Sequence, residues 1–86
     1  MSTVRNENEK KDVTDAIDLS FDVCDQVLKN LLNNYKSKLL NNKLSSMDAL
    51  YLKGIFLNVL PHVSNRDVSY AINKALSIID NSFDSH

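Results

Sequence analysis

Proline and glycine each occur once in this chain of 86 residues, at Pro61 and Gly54. Sheet and turn-rich folds need many more of both, so the scarcity points to an all-α protein. Cysteine also occurs once, at Cys24, which excludes an intrachain disulfide. The only histidines are His62 and His86, too few beside one cysteine for a structural zinc. No charge sign dominates: ten basic residues against eleven acidic ones give a net charge of −1. A nucleic-acid reader normally carries a basic face, and here Lys36, Lys38 and Lys43 form only a loose cluster. The longest apolar run is broken by Asp48 and Lys53 and is too short to span a bilayer. No signal-like apolar stretch stands near the N-terminus, so a cytoplasmic protein outside the membrane is expected.

A chain this short makes one domain, and it buries only about 60–65% of its unfolded surface. Without disulfides or metal, helix packing and association must supply the stability. A homodimer or a protein-bound state is therefore expected.

What is present is helical grammar. Residues 1–11, MSTVRNENEKK, are polar and predict a disordered tail. Residues 12–86 then form a single three-helix domain, with helices over about 13–38, 46–60 and 65–80. The first begins with Asp12 or Thr14 as N-cap. Ile17, Phe21, Cys24, Leu28, Leu31 and Tyr35 follow at spacings of 4, 3, 4, 3 and 4, a heptad seam. Leu19, Val23, Val27 and Leu32 widen it, so this face is expected to pack on neighbouring helices and on a second chain. Asn41–Asn42 reads as the terminus, since asparagine tolerates the left-handed conformation.

The most apolar stretch is Met47–Leu60, with ten apolar side chains in fourteen residues. Ser45 and Asp48 form a capping-box pair at its start, and Pro61 stops it. Apolar residues all round mark a central helix, and its Leu52 and Phe56 join the candidate interface. Gly54 is expected where another backbone crosses closely. Two flanking helices leave much of this stretch uncovered, a further reason to expect a second chain. Ser64 with Asp67 then caps the third helix, Val63 and Val68 form a hydrophobic staple, and Val68, Ile72, Ala75 and Ile79 make the inner face. Residues 80–86 are expected to fray, with Phe83 folding back on the core.

No catalytic constellation is visible: there is no glycine-rich phosphate loop, no GxSxG, no HExxH and no CxxC. Cys24 lies on the apolar face beside Asp22 and Asp25, and both burial and negative charge raise a thiol pKa. His62 has no catalytic partner in view. The expectation is a protein with no enzymatic activity, no cofactor and no metal. A helix-turn-helix reading would present Asn65, Arg66, Ser69 and Asn73 to DNA, but only Arg66 and Lys74 are at hand for phosphates, so nucleic acid is an unfavoured partner.

Two segments carry a family resemblance. Val23-Cys24-Asp25-Gln26-Val27-Leu28-Lys29-Asn30-Leu31-Leu32 is similar to the early helix of the small enterobacterial regulators of acid resistance and biofilm formation, the two-component-system connector proteins. Ile55–Ile79, with Asp67-Val68-x-x-Ala71-x-x-Lys74-Ala75-Leu76, resembles their closing helix pair. Together they cover about 35 of the 86 residues. The chain departs from that pattern at Asp25, where a glycine precedes the glutamine, at a longer link, and at Pro61, which replaces an acidic residue. The resemblance implies a small helical dimer that regulates by binding another regulator. The same composition fits a phage- or mobile-element inhibitor or immunity protein, a secretion chaperone or subunit, and, as an outsider, a small DNA-binding regulator.

Overall fold

The computed structural model describes residues 6–84, with side chains to residue 82. The described residues are all-helical, with four α-helices where three were expected: α1 (Glu7–Ser20), α2 (Gln26–Leu40), α3 (Ser46–Val59) and α4 (Arg66–Asp84). Single 3-10 turns follow α1 at Phe21–Val23 and α3 at Leu60–His62.

The first departure is at the N-terminus. Residues 1–5 lie outside the described residues, but the helix starts at Glu7 rather than near residue 13. Asn6 is its cap, and its Oδ1 accepts from the amides of Asn8 (2.9 Å) and Glu9 (3.3 Å). Glu7 and Glu9 in the first turn complement the positive helix end. Capping and dipole thus hold in a helix a polar segment that composition alone marks as unfolded.

The second departure splits the long heptad helix. Helical geometry ends at the 3-10 turn, and Cys24 is extended, with φ −109° and ψ 146°. Asp25 restarts the chain as the cap of α2, its Oδ1 accepting from the amide of Leu28 at 2.9 Å. Ser20 turns its hydroxyl back onto the carbonyl of Ala16 at 2.6 Å, a bond that weakens a helix locally. Asp25 caps a new helix, so α1 does not run on into α2. The seam Ile17–Tyr35 is therefore two stripes on two helices.

The C-terminus of α2 matches the expected one. Asn42 takes φ 58°, the left-handed conformation. The amide of Lys43 donates to the carbonyl of Lys38 (2.7 Å) and that of Asn42 to Leu39 (3.2 Å), the bond pair of a Schellman turn. The capping box of α3 also forms, with the Asp48 amide on Ser45 Oγ (3.1 Å) and the Ser45 amide on Asp48 Oδ2 (3.2 Å). The α4 cap shifts by one residue. Asn65, not Ser64, accepts from the amides of Asp67 (2.8 Å) and Val68 (3.4 Å). The helix then runs on to Asp84, so most of the segment expected to fray is ordered; Phe83 is on it, with its side chain outside those described.

The four helices close into a ring, each beside its neighbour in sequence and α1 packed most extensively on α4. One lysine–aspartate bridge crosses each seam: Asp18–Lys36 (α1–α2, 2.8 Å), Lys38–Asp48 (α2–α3, 3.3 Å), Lys53–Asp80 (α3–α4, 2.6 Å) and Asp12–Lys74 (α4–α1, 3.3 Å). Pairs this exposed each contribute about 0–1 kcal/mol, so they set register more than stability. Stability comes from one apolar cluster fed by all four helices, with Ile17, Leu32, Leu52, Phe56, Ile72 and Ile79 wholly buried.

Candidate functional site

The candidate interface Ile17, Phe21, Cys24, Leu28, Leu31, Tyr35, Leu52 and Phe56 is not a surface. Ile17, Leu52 and Phe56 are fully covered, and Cys24 and Tyr35 nearly so. Phe21 and Leu28 are partly buried against the same core, and of the eight only Leu31 is exposed. The stripe expected to meet a second chain meets α3 and α4 instead, because the break at Phe21–Asp25 folds α1 and α2 around the apolar centre.

Exposed apolar side chains occur on every helix, Val27 of α2 and Tyr70 of α4 among them, and four of them share the outer side of α3. Met47, Leu50, Tyr51 and Leu57 are 61%, 54%, 60% and 51% exposed. Met47, Leu50, Gly54 and Leu57, with Pro61 in the 3-10 turn that follows, recur at spacings of 3, 4, 3 and 4, so α3 carries a second stripe opposite its buried one. A surface helix normally turns charge to the solvent here. The two charges of α3 stand on its flanks, Asp48 against Lys38 of α2 and Lys53 against Asp80 of α4. The sequence signal for this stripe was its regular spacing, hidden because apolar residues occur all round the helix.

Gly54 sits at the middle of that stripe. A Cβ there would meet nothing within 4 Å, so the close crossing expected at this glycine does not occur inside the chain.

A cleft of about 520 Å³ opens where α2 begins and α3 ends. Val23, Leu28 and Val59 give it an apolar lining, and Asp25, Asn58 and His62 a polar one. The Asp25 carboxylate is already committed as a helix cap. Cys24 nearby is buried, and burial, followed by the charge of Asp25, raises its thiol pKa against the opposing pull of Lys29. Its thiolate fraction at neutral pH is therefore small, a poor setting for a nucleophile. Burial and then Asp48 likewise raise the Tyr35 phenol.

Among the described residues no group of three or more His, Cys, Asp or Glu is placed to hold a metal ion. No helix among them is long and apolar enough to cross a membrane. Of the residues a helix-turn-helix reading would use, Asn65 has its side-chain oxygen on the α4 amides, and Lys74, one of two cations at hand for phosphates, is paired with Asp12. Comparisons with protein-family models, curated proteins and solved structures find no match.

Proposed function

We propose that this is a small regulatory protein without enzymatic activity that acts by protein–protein contact through the outer face of α3. The observation that carries the reading is the uncharged stripe Met47, Leu50, Gly54, Leu57 and Pro61, flanked by exposed Tyr51. Amphipathic helices recognise partners through such i, i+3, i+4, i+7 anchors, and aromatic and Met side chains are favoured at contact centres. The paired flank charges leave this strip free of the ionic requirements that a nucleic-acid or phosphate ligand would bring. Regulation by contact is also what the resemblance of Val23–Leu32 and Ile55–Ile79 to connector proteins implies.

The test is chemical cross-linking in source cells with wild type, Leu50→Lys and Leu57→Lys, after circular dichroism has shown equal helicity. Loss of a defined cross-linked species in both variants is expected. Undiminished cross-linking in both would move the binding surface away from α3.

A further inference from the structure

We infer that the occupant of the α3 face is a second copy of this chain, packed antiparallel across Gly54; this rests on the reading of that face as a binding surface. Two of the three outward pairs about the glycine are apolar on both sides, and the third sets Leu50 against polar Asn58. Tyr51 and Leu57 stand three residues to either side, Leu50 and Asn58 four, and Met47 and Pro61 seven. A two-fold axis at Gly54 brings residue 54+k opposite residue 54−k of the copy, the self-complementarity that an isologous interface requires. Met47 then meets Pro61, Tyr51 meets Leu57, and Leu50 meets Asn58.

Charge agrees with this occupant. A face can meet its own copy only if it does not repel itself, since like charges brought together cost several kcal/mol. The outer stripe bears no ionised group. Asp48 and Lys53 are held at the flanks by Lys38 and Asp80. Gly54 supplies the steric condition, because apart from its chain neighbours and its own helix backbone no described residue lies within 4 Å of its Cβ position. Without a side chain there, two helix backbones approach closely and the larger residues on either side interlock.

The area sets the strength. Covering the exposed parts of Met47, Leu50, Tyr51 and Leu57 removes on the order of 400 Å² from each copy, about half the ~800 Å² per partner of a standard stable interface. The dimer is therefore reversible, populated at high protein concentration and dissociated on dilution.

Two measurements decide it. Sedimentation equilibrium of the full chain should show a monomer–dimer equilibrium, with Leu50→Lys and Leu57→Lys shifted to monomer at least tenfold in apparent Kd. In a Cys24→Ala background of unchanged helicity, Gly54→Cys should oxidise to a disulfide-linked dimer, since a residue on the axis brings its two copies within bonding range. Asn73→Cys, exposed on α4, should oxidise at least tenfold more slowly. A wild type that stays monomeric at all attainable concentrations, with Gly54→Cys oxidising no faster than Asn73→Cys, overturns the second copy as occupant. If that chain still gives the Leu50- and Leu57-dependent cross-link, the face binds a different protein and only the present inference falls. Absence of both signals removes the binding reading as well.

Discussion

Lys10 and Asn42, 32 residues apart, are joined by a 3.0 Å hydrogen bond from the lysine Nζ to the asparagine Oδ1. Lys10 is only 5% exposed. Its other partner is Glu7 at 3.2 Å. The bond ties the first turn of α1 to the left-handed residue that ends α2, so Asn42 has two tasks. Its backbone takes a conformation that glycine would adopt more easily, and its side chain accepts from a covered ammonium.

The two tasks give opposite signs for Asn42→Gly. Glycine relieves a left-handed strain of about 1 kcal/mol, but a hydrogen bond to a charged group is worth about 1.5–3 kcal/mol. Net destabilisation of about 1 kcal/mol is expected, and about 2–3 kcal/mol for Asn42→Ala, which relieves nothing. Lys10→Met removes the charge that needs the acceptor, and in that background Asn42→Gly should become stabilising. Urea unfolding of the double-mutant cycle reads this directly; an unchanged sign would mean the Lys10–Asn42 bond contributes little.

Gly54→Ala should stabilise the monomer. The residue lies inside α3 without a positive φ, and a Cβ there enters open space. Relative to alanine a mid-helix glycine costs about 1 kcal/mol. For a domain of this size that corresponds to a rise in Tm of about 4–8 °C. Thermal melts at low micromolar concentration keep self-association out of the comparison, and a lowered Tm would show that the position is packed.

Asp48 links the capping box of α3 to the Lys38 bridge. Burial pushes its carboxyl up, but hydrogen bonds from Ser45 and the charge and hydrogen bond of Lys38 outweigh this and hold its pKa below the usual value. A depressed carboxylate contributes stability above its unfolded pKa of about 3.9 and loses it as the pH falls through the folded one. Asp48→Asn should therefore cost about 1 kcal/mol at pH 7, and the gap to wild type should close in acid. Equilibrium unfolding from pH 7 down to pH 2.5 measures it; a gap independent of pH would place the role of Asp48 in shape rather than charge.

Cys24 should resist alkylation while the protein is folded. Its thiol is covered, and its pKa is raised first by burial and then by Asp25. Iodoacetamide at pH 7.5 should label it at least tenfold faster in denaturant than in buffer, as read by mass spectrometry. Equal rates would indicate that the turn at Phe21–Asp25 opens readily.

Much of the helix grammar was legible because it is local. The Ser45/Asp48 box, the left-handed Asn42 and the stop near Pro61 depend on residues within a few positions of one another. Asn6 was legible in principle, as an asparagine followed by Glu7 and Glu9, but polar composition masked it. The break at Phe21–Asp25 was harder, because the 4–3 spacing of apolar residues runs through it unchanged. The mark that could have located it is Asp25 before an apolar run, an N-cap in the middle of an apparently continuous helix. The candidate surface was the least legible part. Leu52 and Phe56 differ from Leu50 and Leu57 only in the side of α3 they occupy, and a helix apolar all round does not say which side is covered.

The sequence alone determined that this protein is helical, where α2 ends and α3 is capped, and that Met47–Leu60 is its most apolar element. Those properties follow from side-chain chemistry over a few residues. Tertiary structure decided that there are four helices, that the expected interface is interior, and that the outer stripe of α3 is exposed. Each of these depends on which face meets which neighbour, and that is settled by packing between residues far apart in the chain, where an α1–α4 contact closes the ring and one side of α3 stays exposed among the described residues.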